Sequence, residues 1–140
     1  MFERDIQKLK DEFKRARELF ITHYKNTYKS PSMPPVWAIC EIMSLGLLSR
    51  FYSNLNSKEV RKAIADTYKL EQKIIKSLLR HLAYIRNLCA HHSRIWNRKF
   101  EITVKIPKSK PLGLKDSFNS EEERKLYNTL VFIAYMMGTC

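Results

Sequence analysis

Between residues 2 and 24 the apolar side chains fall at Phe2, Ile6, Leu9, Phe13, Ala16, Phe20 and Tyr24, always three or four positions apart. That spacing gathers them on one side of an α-helix and leaves charges on the other. A chain that opens this way must bury a helical stripe, and the period returns further on. Ile75, Leu78, Leu82, Ile85 and Cys89 form a second such stripe from about Glu71 onward. Leu126, Leu130, Ile133 and Met137 form a third, behind Ser120 and Glu123, which read as a capping box.

The segments between them fit the same class. The first helix should end near Ser30-Pro31, because the residue before a proline is pushed out of the helical region. Pro34-Pro35 then opens a helix over residues 36–51 that is apolar nearly all round, hence buried on several sides. Asn56-Ser57 caps a short helix through Val60, Ala63 and Ile64. Phe100, Ile102, Val104 and Ile106 alternate with Glu101, Thr103 and Lys105, the period of a strand. A loop with Pro111 and Gly113 follows. Only three glycines occur, which argues against a β-sandwich or a glycine-rich phosphate loop. The expectation is one domain over residues 1–140. It is an all-α bundle of about five helices, with a short extended or β-like excursion after the fourth.

Charge and cysteine usage narrow the function classes. No run of about 20 apolar residues is present, so no membrane span is expected. The N-terminus is charged from its third residue and has no signal-peptide apolar region. Cys40, Cys89 and Cys140 are odd in number, widely spaced and set in apolar surroundings, which suits reduced thiols in a cytoplasmic protein. Against 14 acidic residues stand 26 basic ones, a net charge of +12 that points to a polyanionic partner, nucleic acid first. Solubility alone and attraction to a membrane surface are the plainer explanations. Residues 94–110 hold six basic residues (Arg94, Arg98, Lys99, Lys105, Lys108, Lys110) against Glu101, a local +5 that would lie along an RNA path.

The chemistry concentrates in IRNLCAHHSRIWNR, residues 85–98. At about 100° per residue, with Arg86 at zero, Asn87 falls near 100°, His91 near 140° and Arg94 near 80°. Asn87 and His91 are then neighbours at i and i+4, with Arg94 beside them. His92, near 240°, points elsewhere. Histidine suits proton transfer near neutrality, arginine grips phosphate, and an asparagine one turn away can orient the imidazole. Together they suit attack on a phosphodiester by the neighbouring 2′-hydroxyl, which only RNA carries. The plainer reading is a dipole-favoured histidine among solvated arginines at a helix end.

Two other roles are open, metal binding and ion pairing. His81, Cys89, His91 and His92 could supply metal ligands, yet His91 and His92 diverge and no C-x-x-C or H-E-x-x-H spacing occurs, so no metal or other cofactor is expected. Glu41, inside an apolar run, should meet a cation, an arginine first; support of the site is its second role.

The same stretch resembles the signature of the Abi-like (AbiD/AbiF type) abortive-infection proteins of bacteria, a branch of the HEPN superfamily. The upstream HYKNTYKSPSMPPVWAICEIMSLGLLSRFYSNL is similar to that family's preceding region, so the resemblance covers residues 23–98 well and the flanks loosely. It implies a helical bundle and a metal-independent ribonuclease with an R-x4-6-H motif, in phage defence or a toxin-like system. That motif falls on Arg86, Asn87 and His91, and His92 also satisfies its spacing. Arg94, Asn97, Arg98 and Lys99 would add RNA contacts. The resemblance further implies a homodimer and leaves room for an antitoxin or regulatory protein as partner. Relatives are longer at the N-terminus, so the chain corresponds to a C-terminal part of that architecture or to a short form. The rival readings are a non-catalytic HEPN module that binds RNA or a protein, and an unrelated basic DNA-binding domain.

Overall fold

Acidic Glu3 and Asp5 in its first turn and basic Lys14 and Arg15 in its last suit the dipole of the opening helix, α1 (Phe2–Arg15). The computed structural model describes residues 2–108, 111 and 113–139, so Lys110 and Cys140 lie outside the described residues, as does the side chain of Phe2. All regular structure within them is helical. After α1 come α2 (Leu19–Thr27), α3 (Val36–Ile42), α4 (Leu45–Asn54), α5 (Lys58–Thr67), α6 (Gln72–Ala90) and α7 (Leu126–Thr139), with a 3-10 turn over Lys115–Ser117. The chain forms two compact units, one ending at Asn54 and the other beginning at Leu55. Among the described residues no helix is long and apolar enough to cross a membrane.

The all-α expectation holds, but two of the five expected helices are each divided. The first breaks at residues 16–18. Lys25 of α2 reaches back and donates to the carbonyls of Lys14 and Ala16 at 3.1 and 3.0 Å, while its ammonium sits 4.9 Å from the centre of the Phe13 ring. The carbonyls left open at a helix end are thereby satisfied by a side chain. The break turns the stripe: Ile21 is buried and Phe20, assigned to the stripe by spacing, is largely exposed.

The second division falls at Ser44. Its hydroxyl accepts from the amide of Leu47 at 3.3 Å, capping α4. The carboxylate of Glu12 takes both the amide and the hydroxyl of Ser44, at 2.9 and 2.7 Å. The region is not buried on several sides as expected, since Val36, Trp37 and Leu48 are exposed. Glu41 is exposed too, with no ion pair among the described residues, so its expected arginine partner is absent. The buried carboxylate of this unit is Asp5, bound by Arg50 Nε at 2.8 Å and by Asn54 Nδ2 at 3.1 Å. Leu9, Phe13, Ile21, Ile39 and Leu47 form the apolar core of this unit.

In the second unit Ser57 caps α5 as expected, accepting from Val60 N at 3.1 Å. Helix α6 buries Ile74, Ile75, Leu78, His81 and Ile85, whereas Cys89, expected in the stripe, is exposed, as is Cys40. The expected extended or β-like excursion holds no strand among the described residues. The alternation survives as burial, with Phe100 and Val104 in and Glu101 and Lys105 out. Side chains of α6, not a neighbouring strand, satisfy this backbone: Lys105 N donates to Ser77 Oγ at 3.0 Å, and the Ile102 carbonyl lies 2.6 Å from His81 Nδ1.

The last helix starts at Leu126, so Ser120 and Glu123 do not cap it. Asn119 does the turning instead, its Oδ1 accepting from the amides of Glu121 and Glu122. The stripe expected for α7 is its outer side: Leu130, Ile133 and Met137 are exposed, and Asn128, Thr129 and Phe132 face inward. Polar residues occupy that side because each has a partner. Asn128 bonds the amide and carbonyl of Asn119, both at 2.8 Å, and Thr129 meets His81.

Candidate functional site

Helix α6 stops where the histidines begin, and it stops without a glycine. The amide of Ser93 bonds the Leu88 carbonyl at 2.9 Å and that of His92 bonds the Cys89 carbonyl at 3.0 Å, the paired closure of a Schellman motif. The residue that must turn left-handed is His92, with φ of 51°. Glycine usually fills that position; histidine tolerates it better than most side chains, at a cost of order 1 kcal/mol or more. His91 is the C-cap, and its amide bonds the Asn87 carbonyl at 3.0 Å.

The helical wheel therefore applies as far as His91 and fails beyond it. Arg86 and Asn87 lie together on the last turns, Arg86 Nη1 donating to Asn87 Oδ1 at 3.2 Å. No side-chain hydrogen bond joins either to the His91 ring among the described residues. Arg86, Asn87, His91 and His92 are all exposed. Arg94 does not continue the helical face, because the helix has ended, but it too is exposed. Trp96 is 76% exposed and Lys99 is exposed beyond it.

Asn97 is bonded within the chain. It stands at φ of 53°, and Lys125 Nζ donates to its Oδ1 at 2.5 Å and to its carbonyl at 3.2 Å. Arg124 Nε donates to the Phe100 carbonyl at 2.7 Å, and the Phe100 amide donates to the Arg124 carbonyl at 2.9 Å. These bonds moor the segment after the histidines, so Asn97 is occupied within the chain and Arg98 is half-buried. Glu41 belongs to the unit that ends at Asn54, where it is exposed.

A sequence model of the Abi-like protein family matches residues 2–97, well over half of the 140. The chain belongs to the Abi-like protein family. No curated protein and no solved structure gives a significant match. The all-helical fold is consistent with the HEPN superfamily. The matched region contains Arg86, Asn87, His91, His92, Arg94 and Asn97, and ends before Arg98 and Lys99.

His81 is the histidine that sequence reading undervalued in this Abi-like chain. It is 2% exposed, with both ring nitrogens engaged: Nδ1 at 2.6 Å from the Ile102 carbonyl and Nε2 at 2.8 Å from Thr129 Oγ1. A carbonyl only accepts, so Nδ1 carries the proton and Nε2 accepts from the threonine hydroxyl. The ring bonds three segments of the unit together. Its place three residues after Leu78 and four before Ile85 was the readable sign that it faces the core. Among the described residues no three histidine, cysteine or acidic side chains are grouped to hold a metal ion.

Burial lowers the pKa of His81 below the ordinary 6.5, partly opposed by its bond to the Ile102 carbonyl. The unfolded chain takes up a proton that the folded chain resists, so the unfolded state binds more protons on acidification. The stabilising contribution is therefore complete above the ordinary imidazole pKa and is lost as pH falls from there through the lowered folded value. Urea midpoints measured from pH 8 to pH 5 should decline in wild type more steeply than in His81→Gln. Parallel curves would remove His81 as the cause.

Proposed function

We propose that this Abi-like protein is a metal-independent RNA endonuclease of a bacterial phage-defence or toxin-like system. The observation that carries this reading is the exposure of Arg86, Asn87 and His91 at the end of α6. Among the described residues the side chains of this histidine and arginine have no hydrogen-bond or ion-pair partner except the Arg86–Asn87 contact. His81 of the same helix shows the contrast, since it is buried and bonded on both nitrogens.

In the proposed reaction the 2′-oxygen of a ribose bonds to the adjacent phosphorus as its proton leaves. The bond from phosphorus to the 5′-oxygen of the next nucleotide breaks, and that oxygen receives a proton. His91 moves protons in this exchange. Arg86 binds the phosphoryl oxygens as charge builds on them. Asn87 holds the guanidinium in place and orients the site, with Arg94, Arg98 and Lys99 contacting the flanking strand.

Arg86 and His91 are separated by about 7.5 Å of rise and about 140° of turn, so one helix does not comfortably focus both on one phosphate. The proposal therefore includes a homodimer in which each His91 approaches the partner copy's arginine across a two-fold seam. An antitoxin or regulatory protein would act by covering that cleft.

Purified protein should cut single-stranded or loop RNA in the presence of EDTA, because side chains supply both proton transfer and charge stabilisation. The products should carry 2′,3′-cyclic phosphate and 5′-hydroxyl ends. Products with 5′-phosphate ends would overturn this chemistry. RNA binding without any cleavage would leave a non-catalytic RNA-binding module.

A further inference from the structure

Helix α6 carries a second polar feature upstream of the histidines. With Lys73 at zero, Lys76, Arg80, Tyr84, Asn87 and His91 all fall within about 80° of the helix circumference. The strip runs about 27 Å from Lys73 to His91. Its upstream half forms one wall of a groove of about 580 Å³, whose other wall is the segment carrying Glu101 and Lys105. Ser77 lies between the walls and its hydroxyl accepts the Lys105 amide, so the groove is bonded in place.

Four cations face this groove (Lys73, Lys76, Arg80 and Lys105) against one carboxylate, Glu101. None of the four forms an ion pair or side-chain hydrogen bond among the described residues. Lys73 with Lys76 and Lys76 with Arg80 stand at i,i+3 and i,i+4, where like charges destabilise a helix. Such an arrangement is relieved when several anionic groups occupy it at once. A chain of phosphates does this, and a groove walled by one helix and one moored segment suits a single strand tracked by its backbone. An anionic membrane surface fits less well, because a surface-bound helix sets an apolar face beside its cations; here the apolar face of α6 is buried.

We infer that this groove is the track along which single-stranded RNA reaches His91, bound through its phosphates by Lys73, Lys76, Arg80 and Lys105. The inference rests on the nuclease reading for its direction but not for its test. The host for that test is His91→Ala, which removes the proton carrier and keeps the groove. Binding of a labelled oligouridylate is measured by fluorescence anisotropy across a salt series.

Adding Lys73→Gln, Lys76→Gln and Arg80→Gln together should weaken binding about tenfold or more at low salt. It should also lower the slope of log K against log salt by about 2, close to 0.7 for each lost contact to a single strand. A charge-keeping triple variant (Lys73→Arg, Lys76→Arg, Arg80→Lys) should bind as the host does, which separates lost charge from lost folding. Unchanged affinity and slope in the glutamine triple variant would overturn the inference, as would an RNA-inert host. So would loss of binding to phosphatidylserine vesicles with RNA binding retained. If wild type cuts no RNA but the triple variant still loses binding, the groove stands and the nuclease reading fails.

Discussion

Alanine at His91 is expected to slow RNA cleavage by about 10²- to 10⁴-fold, the usual worth of a positioned acid or base. Arg86→Ala should fall at least as far, since it removes the charge that meets the developing phosphorane. Neither change should move the unfolding temperature appreciably, because both side chains are exposed and exposed substitutions stay within about 0.5 kcal/mol. That separation of activity from stability makes the test decisive. Equal cleavage by wild type and both variants would mean a contaminating nuclease, and the enzyme reading would be lost.

Mixing the two inactive variants then probes the composite cleft. A dimer with one arginine and one histidine from each copy regains an intact half-site when Arg86→Ala pairs with His91→Ala. Partial recovery is the expected result. A strictly monomeric protein in sedimentation with full activity would sink the two-chain site.

The largest effect on stability is expected from Phe100→Ala, about 3–5 kcal/mol. Phe100 has no exposed surface, and its ring meets those of His81 and Tyr84 edge-on, with centroids 5.8 and 6.2 Å away. Its backbone is bonded at both ends to Arg124. Truncation leaves a cavity between α6 and a segment whose moorings limit collapse, and partial relaxation is what makes such cavities costly. Phe20→Ala, on the exposed side of α2, should cost under about 1 kcal/mol by the same reasoning. Urea unfolding of the two variants gives the comparison. A loss below about 1 kcal/mol at Phe100 would show that the segment is not held as described.

Helical class was readable from the sequence because apolar spacing survives whatever packs against it. Helix ends were less readable, and each miss has a particular cause. Neither break in the first unit is marked by a helix-breaking residue: the first is held by Lys25 and the second by Glu12, both acting from distant positions. Spacing cannot report such long-range partners. At α7 hydrophobicity misled outright, because Asn128 and Thr129 occupy the inner side through hydrogen bonds that the sequence does not display.

Residues 85–98 stood out because polar side chains cluster after a buried stripe, and family resemblance sharpened them. The wheel carried to His91, where the helix is capped, and misplaced Arg94 beyond it. Asn97 was named for its chemistry alone, and the structure spends that chemistry on Lys125. Lys73, Lys76 and Arg80 stand at helical spacing, but cations so placed on a helix look like any solvated face.

The closure of α6 also decides what can move near its end. The amides of His91, His92 and Ser93 are each bonded to a carbonyl of the final turns, so backbone opening there requires breaking the helix cap. The freedom left to the His91 imidazole is rotation about its own two side-chain torsions, a motion of picoseconds to nanoseconds. Loop opening is far slower, up to microseconds. In amide exchange, residues through 93 should therefore belong with the protected block of α6. The imidazole of His91 is a fast rotor mounted on the stiff side of that boundary.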